Sequence, residues 1–113
     1  MTDMNYMGAI VKILETPKQK LINSNILVIK FRAQLPQVRK SRIVKLVIWG
    51  KLARAVLDYY KINDYILIEG YASLTDNNNI SNINKKPLKT VTISVLKVYP
   101  FLLNYNRFIN KLS

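Results

Sequence analysis

Residues 42–71 read RIVKLVIWGKLARAVLDYYKINDYILIEGY, and this stretch decides the fold. Its first eight residues alternate. Val44, Leu46 and Ile48 fall on one face, and Ile43, Lys45, Val47 and Trp49 on the other, which is the period of a β-strand. Gly50 breaks the alternation. From Lys51 to Tyr60 the apolar residues Leu52, Ala55, Val56 and Tyr59 recur at helical spacings, which predicts a short helix. Its ends are poorly dressed. Gly50 stands where Ser, Thr or Asp would cap, and Arg54 and Asp58 sit on the wrong sides for the helix dipole. Tertiary packing therefore has to hold it. Asn63-Asp64 predicts a turn. Tyr65–Leu74 alternates again, and Gly70 within it marks a bulge or sharp bend.

Working outward, Tyr6–Leu14 is rich in strand formers and predicts a first strand. Glu15–Asn25, with Pro17, reads as a loop. Ile26–Ala33 alternates cleanly, with Leu27, Ile29, Phe31 and Ala33 as core and Ile26, Val28, Lys30 and Arg32 outward. Residues 34–41 (QLPQVRKS) read as a basic hairpin loop and 75–87 (TDNNNISNINKKP) as a polar loop. Leu88–Tyr99 is the fifth strand, which Pro100 is expected to stop. The order is β-β-β-α-β-β. That order predicts an all-β fold, the five-stranded Greek-key barrel of the OB-fold, with the helix between strands three and four. OB-folds commonly bind oligonucleotides on the face of strands two and three. The expected division is a domain over residues 1–103 and a basic, apolar tail over 104–113.

With 113 residues there is room for one core. No apolar run is long enough to span a membrane, and the N-terminus shows no cleaved targeting segment. Ile, Asn, Lys and Tyr are abundant and Gly, Ala, Pro and Arg scarce, the pattern of an AT-rich genome such as a plastid's or that of an AT-rich bacterium. Cysteine and histidine are both absent, and the six carboxylates are scattered. The residues therefore offer no general base, nucleophile or metal set, and the expectation is a protein that is not an enzyme and uses no cofactor. Net charge is +12, and it is not spread evenly. No acidic residue lies between Glu15 and Asp58, while ten cations do. A one-signed block of that size attracts a polyanion and drives binding by counterion release.

Single-strand binding needs cations for phosphates and aromatic planes for bases. Trp49, the single tryptophan, is the strongest plane candidate, because Val44, Leu46 and Ile48 already claim the core face. An oligomer contact or a core position are its other readings. Lys45 shares its face, and Lys30 and Arg32 lie outward on the neighbouring strand. Arg39, Lys40 and Arg42, with Lys85 and Lys86, are candidate loop contacts to phosphate. Tyr71 is a second outward aromatic. Tyr59 and Tyr60 read as helix packing.

From Val44 to Gly70 the chain resembles the bacterial-type single-stranded-DNA-binding protein family. The residues that carry the likeness are Val47-Ile48-Trp49-Gly50-Lys51-Leu52-Ala53, then Tyr59-Tyr60, then Tyr65-Ile66-Leu67-Ile68-Glu69-Gly70. Small plastid-encoded members in algae fit the residue usage. The resemblance implies that Trp49 replaces a base-stacking phenylalanine, that Lys45 matches a basic residue on the same strand, and that Lys51 is the motif lysine. It also implies a homo-oligomer, dimer or tetramer, acting in replication or repair in a plastid or a bacterial cytoplasm. Two stacking tryptophans of the family have no counterpart, one aligning with Ile43 and one near Asn77. The acidic C-terminal tip that recruits partner enzymes is also missing, so no hub role is expected. Two other functions stay open: an RNA- or ribosome-associated OB module, and an OB interaction module that has lost strand binding.

Overall fold

The computed structural model describes residues 5–36, 42–76 and 89–103. Its elements are β1 (Asn5–Ile13), β2 (Lys18–Ile22), β3 (Ile26–Leu35), β4 (Arg42–Trp49), α1 (Gly50–Tyr59), β5 (Tyr65–Asp76) and β6 (Lys89–Leu102). The helix lies where expected, between β4 and β5, and begins one residue earlier than its periodicity suggests.

All six strands form one sheet, in the order β1-β5-β6-β4-β3-β2. The sheet closes on itself, because β1 also pairs with β3 through Lys12↔Gln34 and Ile13↔Ala33. The five expected strands make this ring. β4 and β6 are its parallel pair, and the other pairings are antiparallel. The interior is filled from every side of the ring by Val11, Ile29, Phe31, Val44, Leu46, Ile48, Ile66, Ile68 and Ile93, all essentially inaccessible to water. These are the inward residues of the strand alternations, so hydrophobic burial and strand register select the same arrangement.

Two expectations need correction. The first is the loop over Glu15–Asn25, which contains β2. Every residue of β2 is exposed, so it has no apolar alternation to read. It exists because it pairs with β3 over five residues, Lys18↔Lys30 to Ile22↔Ile26. Asn23, Ser24 and Asn25 make the three-residue connection, with Asn23 and Ser24 at φ 53° and 64° and the Asn25 N–H donating to the Ile22 carbonyl at 3.2 Å. The second is Pro100, which does not stop β6. The strand runs on to Leu102, with Pro100 opposite Ile66. Here β6 is paired only with β5, its contact with β4 being confined to Thr92–Ser94, and an edge strand tolerates the missing N–H.

α1 closes the ring from below, against β3, β4 and β6. Its cap residue Trp49 makes no side-chain capping bond, and no favourable charges flank its dipole. Ala53 and Val56, buried against the core, hold it instead. The chain then returns through Asp64, which is fully buried and whose Oδ2 accepts the Lys61 N–H at 2.8 Å. The turn is stapled to the end of β1: Ile13 N–H donates to the Asp64 carbonyl and Asn63 N–H to the Ile13 carbonyl. Gly70 falls at a register shift between β5 and β6, as its place in the sequence suggested. A Cβ there would run into the Ser94 carbonyl and lie 2.9 Å from the Val95 Cα, so only glycine lets the strands approach.

Candidate nucleic-acid interface

Residues directly opposite one another in a sheet share a face, so the register orders the outer surface into rows. One row is Lys20–Val28–Trp49. The next is Lys18–Lys30–Val47–Ser94–Tyr71–Tyr6, crossing all six strands. A third is Arg32–Lys45–Thr92–Ser73, and at the base of β4 Gln34 faces Ile43. Strands lie about 4.8 Å apart and side chains on one face repeat at about 6.7 Å. Lys18, Lys20, Lys30, Arg32 and Lys45 therefore occupy one outward surface two to three strands wide, all exposed.

Trp49 ends β4 on this surface and is 42% exposed. Gly50 follows with φ +68°, a left-handed turn that drops the chain directly into α1 and leaves the indole at the strand's edge. Beside it lie the outward apolar residues of the β2–β3 hairpin. Ile22 and Ile26 face each other near the tip, both exposed, and Val28 is buried between Lys20 and Trp49 in its row. Val47, between Lys30 and Ser94, is buried in the same way. The second apolar face of β4 is therefore part covered and part open: the cross-strand neighbours shelter its middle, and Ile43 and Trp49 at its ends meet solvent.

Arg32 is held by Glu15. Its Nε donates to Glu15 Oε1 at 3.1 Å and its backbone N–H to Glu15 Oε2 at 2.8 Å. That backbone N–H holds the Glu15 carboxyl below its ordinary value, with the Arg32 side chain and the charge of Lys18 acting the same way and desolvation opposing.

Trp49, Lys45, Lys30 and Arg32 are thus brought together. Arg42 is exposed at the far end of β4, next to Ile43. Lys51 is exposed on the first turn of α1, past Gly50, and belongs to no row of the sheet. Tyr71 is outward but two strands away from Val47, and its ring packs edge-on against Tyr6 at 5.2 Å and 73°. The Tyr6 hydroxyl donates to Glu69 Oε1 at 3.3 Å, and partial desolvation, with the Glu69 charge, pushes the Tyr6 phenol upward. Arg39, Lys40, Lys85, Lys86 and Asn77 lie outside the described residues. Lys18 and Lys20 were missed as site residues because β2 was read as loop. The readable signal is Asn23-Ser24-Asn25 set between KQKLI and ILVIK, a short polar turn between strand-length segments.

This geometry can be set beside known proteins. The ycf41 protein of Trieres chinensis, named a candidate single-stranded DNA-binding protein, is 42% identical over 106 residues, 89% of this chain and 92% of the relative. The chain belongs to the ycf41 family. The ycf41 protein of Pyropia yezoensis, named likewise, is 28% identical over 99 residues, 87% of each chain. No family model matches. Among solved structures, yeast mitochondrial single-stranded DNA-binding protein Rim1 superposes with TM-score 0.70 at 9% identity, covering 90% of this chain and 99% of Rim1. The single-stranded DNA-binding domain from Synechococcus sp. gives 0.64 at 22% identity, covering 88% and 98%. At such identities the likeness establishes the fold, and it is that of the bacterial-type OB-folds, as the 44–70 stretch implied. The ycf41 relatives carry the kinship.

Proposed function

We propose that this ycf41 chain binds single-stranded DNA without marked sequence preference and without catalysis, protecting exposed strands during replication or repair in a plastid. One observation carries the reading. The register sets an exposed indole and five cations on one outward face, Lys20 in the row of Trp49 and Lys18, Lys30, Arg32 and Lys45 in the two rows below. Phosphates would lie along the cations and a base would stack on Trp49, a contact worth about 1–3 kcal/mol. Lys51, Arg42 and Tyr71 would be outlying contacts, and Arg39 and Lys40, outside the described residues, belong to this reading from the sequence alone. The names of the ycf41 relatives and the residue usage support both the ligand and the compartment.

The same reading includes a homo-oligomer, a dimer or tetramer. From Asn5 to Val11 one edge of β1 pairs with β5 and the other has no strand partner among the described residues. Outside that edge lies an apolar row, Ile10–Leu67–Tyr99, with Lys12–Tyr65–Leu102 below it. An open edge beside an outward apolar surface is a template for a second copy.

The test is fluorescence anisotropy with equal-length labelled oligo-dT, duplex DNA, oligo-U and structured RNA, run beside light scattering. Tight oligo-dT binding with weak duplex binding, and a mass above one chain, is expected. Preference for structured RNA would replace this function with RNA recognition, and failure to bind any of the four at low salt would refute it.

A further inference from the structure

We infer that Glu15 is a built-in counter-ion of the strand-binding face: its carboxylate occupies the place of a phosphate beside Arg32 and Lys18, and so holds down affinity for single strands. This rests on the strand-binding reading proposed above.

The geometry is specific. Glu15 Oε2 takes the backbone N–H of Arg32 at 2.8 Å, which pins the carboxylate to the edge of β3. Its other oxygen is thereby aimed at the side chain and meets Nε at 3.1 Å, while the Arg32 side chain remains 62% exposed. The flanking cations in the chain are Lys12 and Lys18, and the nearest acidic residues in sequence are Asp3 and Asp58. Glu15 thus sets a negative charge against Arg32 at the rim of the cationic block, with the charge sign and acceptor oxygens of the ligand that block attracts.

A strand phosphate approaching Arg32 meets a guanidinium already partly neutralised, and it must settle near a like charge. For two unit charges about 6 Å apart in water, that repulsion alone costs about threefold in affinity, and more where the surface lowers the dielectric. Ordering of Arg32 by the carboxylate works in the opposite direction. It loses because a single Nε contact on so exposed a side chain orders the guanidinium only weakly.

Glu15→Gln separates these effects, because it keeps an oxygen for the Arg32 N–H and removes the charge. Oligo-dT binding at low salt is expected to tighten about threefold or more. The slope of log affinity against log salt is expected to steepen by about 0.7, one phosphate equivalent on a single strand. Both changes should vanish in an Arg32→Gln background. Glu15→Ala, with folding checked by thermal melt, should shift affinity in the same direction. Unchanged or weaker binding by Glu15→Gln with an unaltered slope, while Arg32→Gln alone weakens binding, overturns the inference and leaves the face intact. If Arg32→Gln binds as the parent does in affinity and slope, this part of the face is not the strand site, and the role of Glu15 falls with it.

Discussion

Exchanging Lys30 for glutamine removes a charge from the centre of the outward face without touching the core, since Lys30 is exposed and lies between Lys18 and Val47 in its row. The expected effect can be worked from the surface. With Arg32 held by Glu15, if phosphates neutralise Lys18, Lys20, Lys30 and Lys45, the affinity falls with salt at a log–log slope of about −2.8, at about 0.7 per phosphate on a single strand. Raising salt from about 50 to about 200 mM then weakens oligo-dT binding about 50-fold. With Lys30→Gln the slope becomes about −2.1 and the same step costs about 18-fold. Lys45→Gln should behave alike. Lys61→Gln is the control, because Lys61 sits in the turn after α1, away from the rows. Anisotropy titrations at four or five salt concentrations measure each slope. Equal slopes for the parent, Lys30→Gln and Lys45→Gln, or an equal loss in Lys61→Gln, would refute the placement of the phosphates.

Three further outcomes concern the scaffold. Gly70→Ala forces a Cβ into the Ser94–Val95 backbone and should cost about 3 kcal/mol or more in a urea melt, whereas Gly50→Ala, with open space but φ +68°, should cost only about 1–2 kcal/mol; equal costs would contradict this. Asp64→Ala removes the carboxylate that accepts the Lys61 N–H from a fully buried position and should cost about 1–3 kcal/mol, detectable as a lowered melting temperature. Glu15 has a depressed folded pKa, so its stabilisation is fully present above the ordinary carboxylate value and is lost as pH falls through the folded one. Melting curves of the parent and Glu15→Gln should therefore differ at neutral pH and converge in acid; a gap that widens in acid would reverse the assignment.

Much of this was legible in the sequence, because burial and periodicity agree where strands are half buried. Arg42–Trp49 could be read residue by residue: its alternation is strict, and Gly50 ends it by conformation rather than by chance. The outward direction of Trp49 followed from the same phase. β2 was not legible from alternation, since an edge strand exposed along its whole length has no apolar face and takes its form from pairing with β3. The end of β6 was hidden for a related reason: whether a proline stops a strand depends on which neighbours it has, which is tertiary information. The bond from Glu15 to Arg32 spans seventeen positions and exists only because β1 leaves the sheet where β3 passes. The separation of Tyr71 from Trp49 likewise depends on β6 lying between β4 and β5.

The chain has one tryptophan, so emission excited selectively at the red edge of the indole band, where tyrosine does not absorb, reports Trp49 alone. Titrating the protein with oligo-dT at low salt, and following that emission beside anisotropy of a labelled strand, tests the central claim most directly. Base stacking on the exposed indole predicts a saturating quench that tracks the anisotropy. It also predicts a Trp49→Ala variant weakened by about fivefold to about 150-fold, the equivalent of one stacked base. Full binding by anisotropy with no change in emission, and a Trp49→Ala variant that binds as the parent does, would show that the strand lies elsewhere.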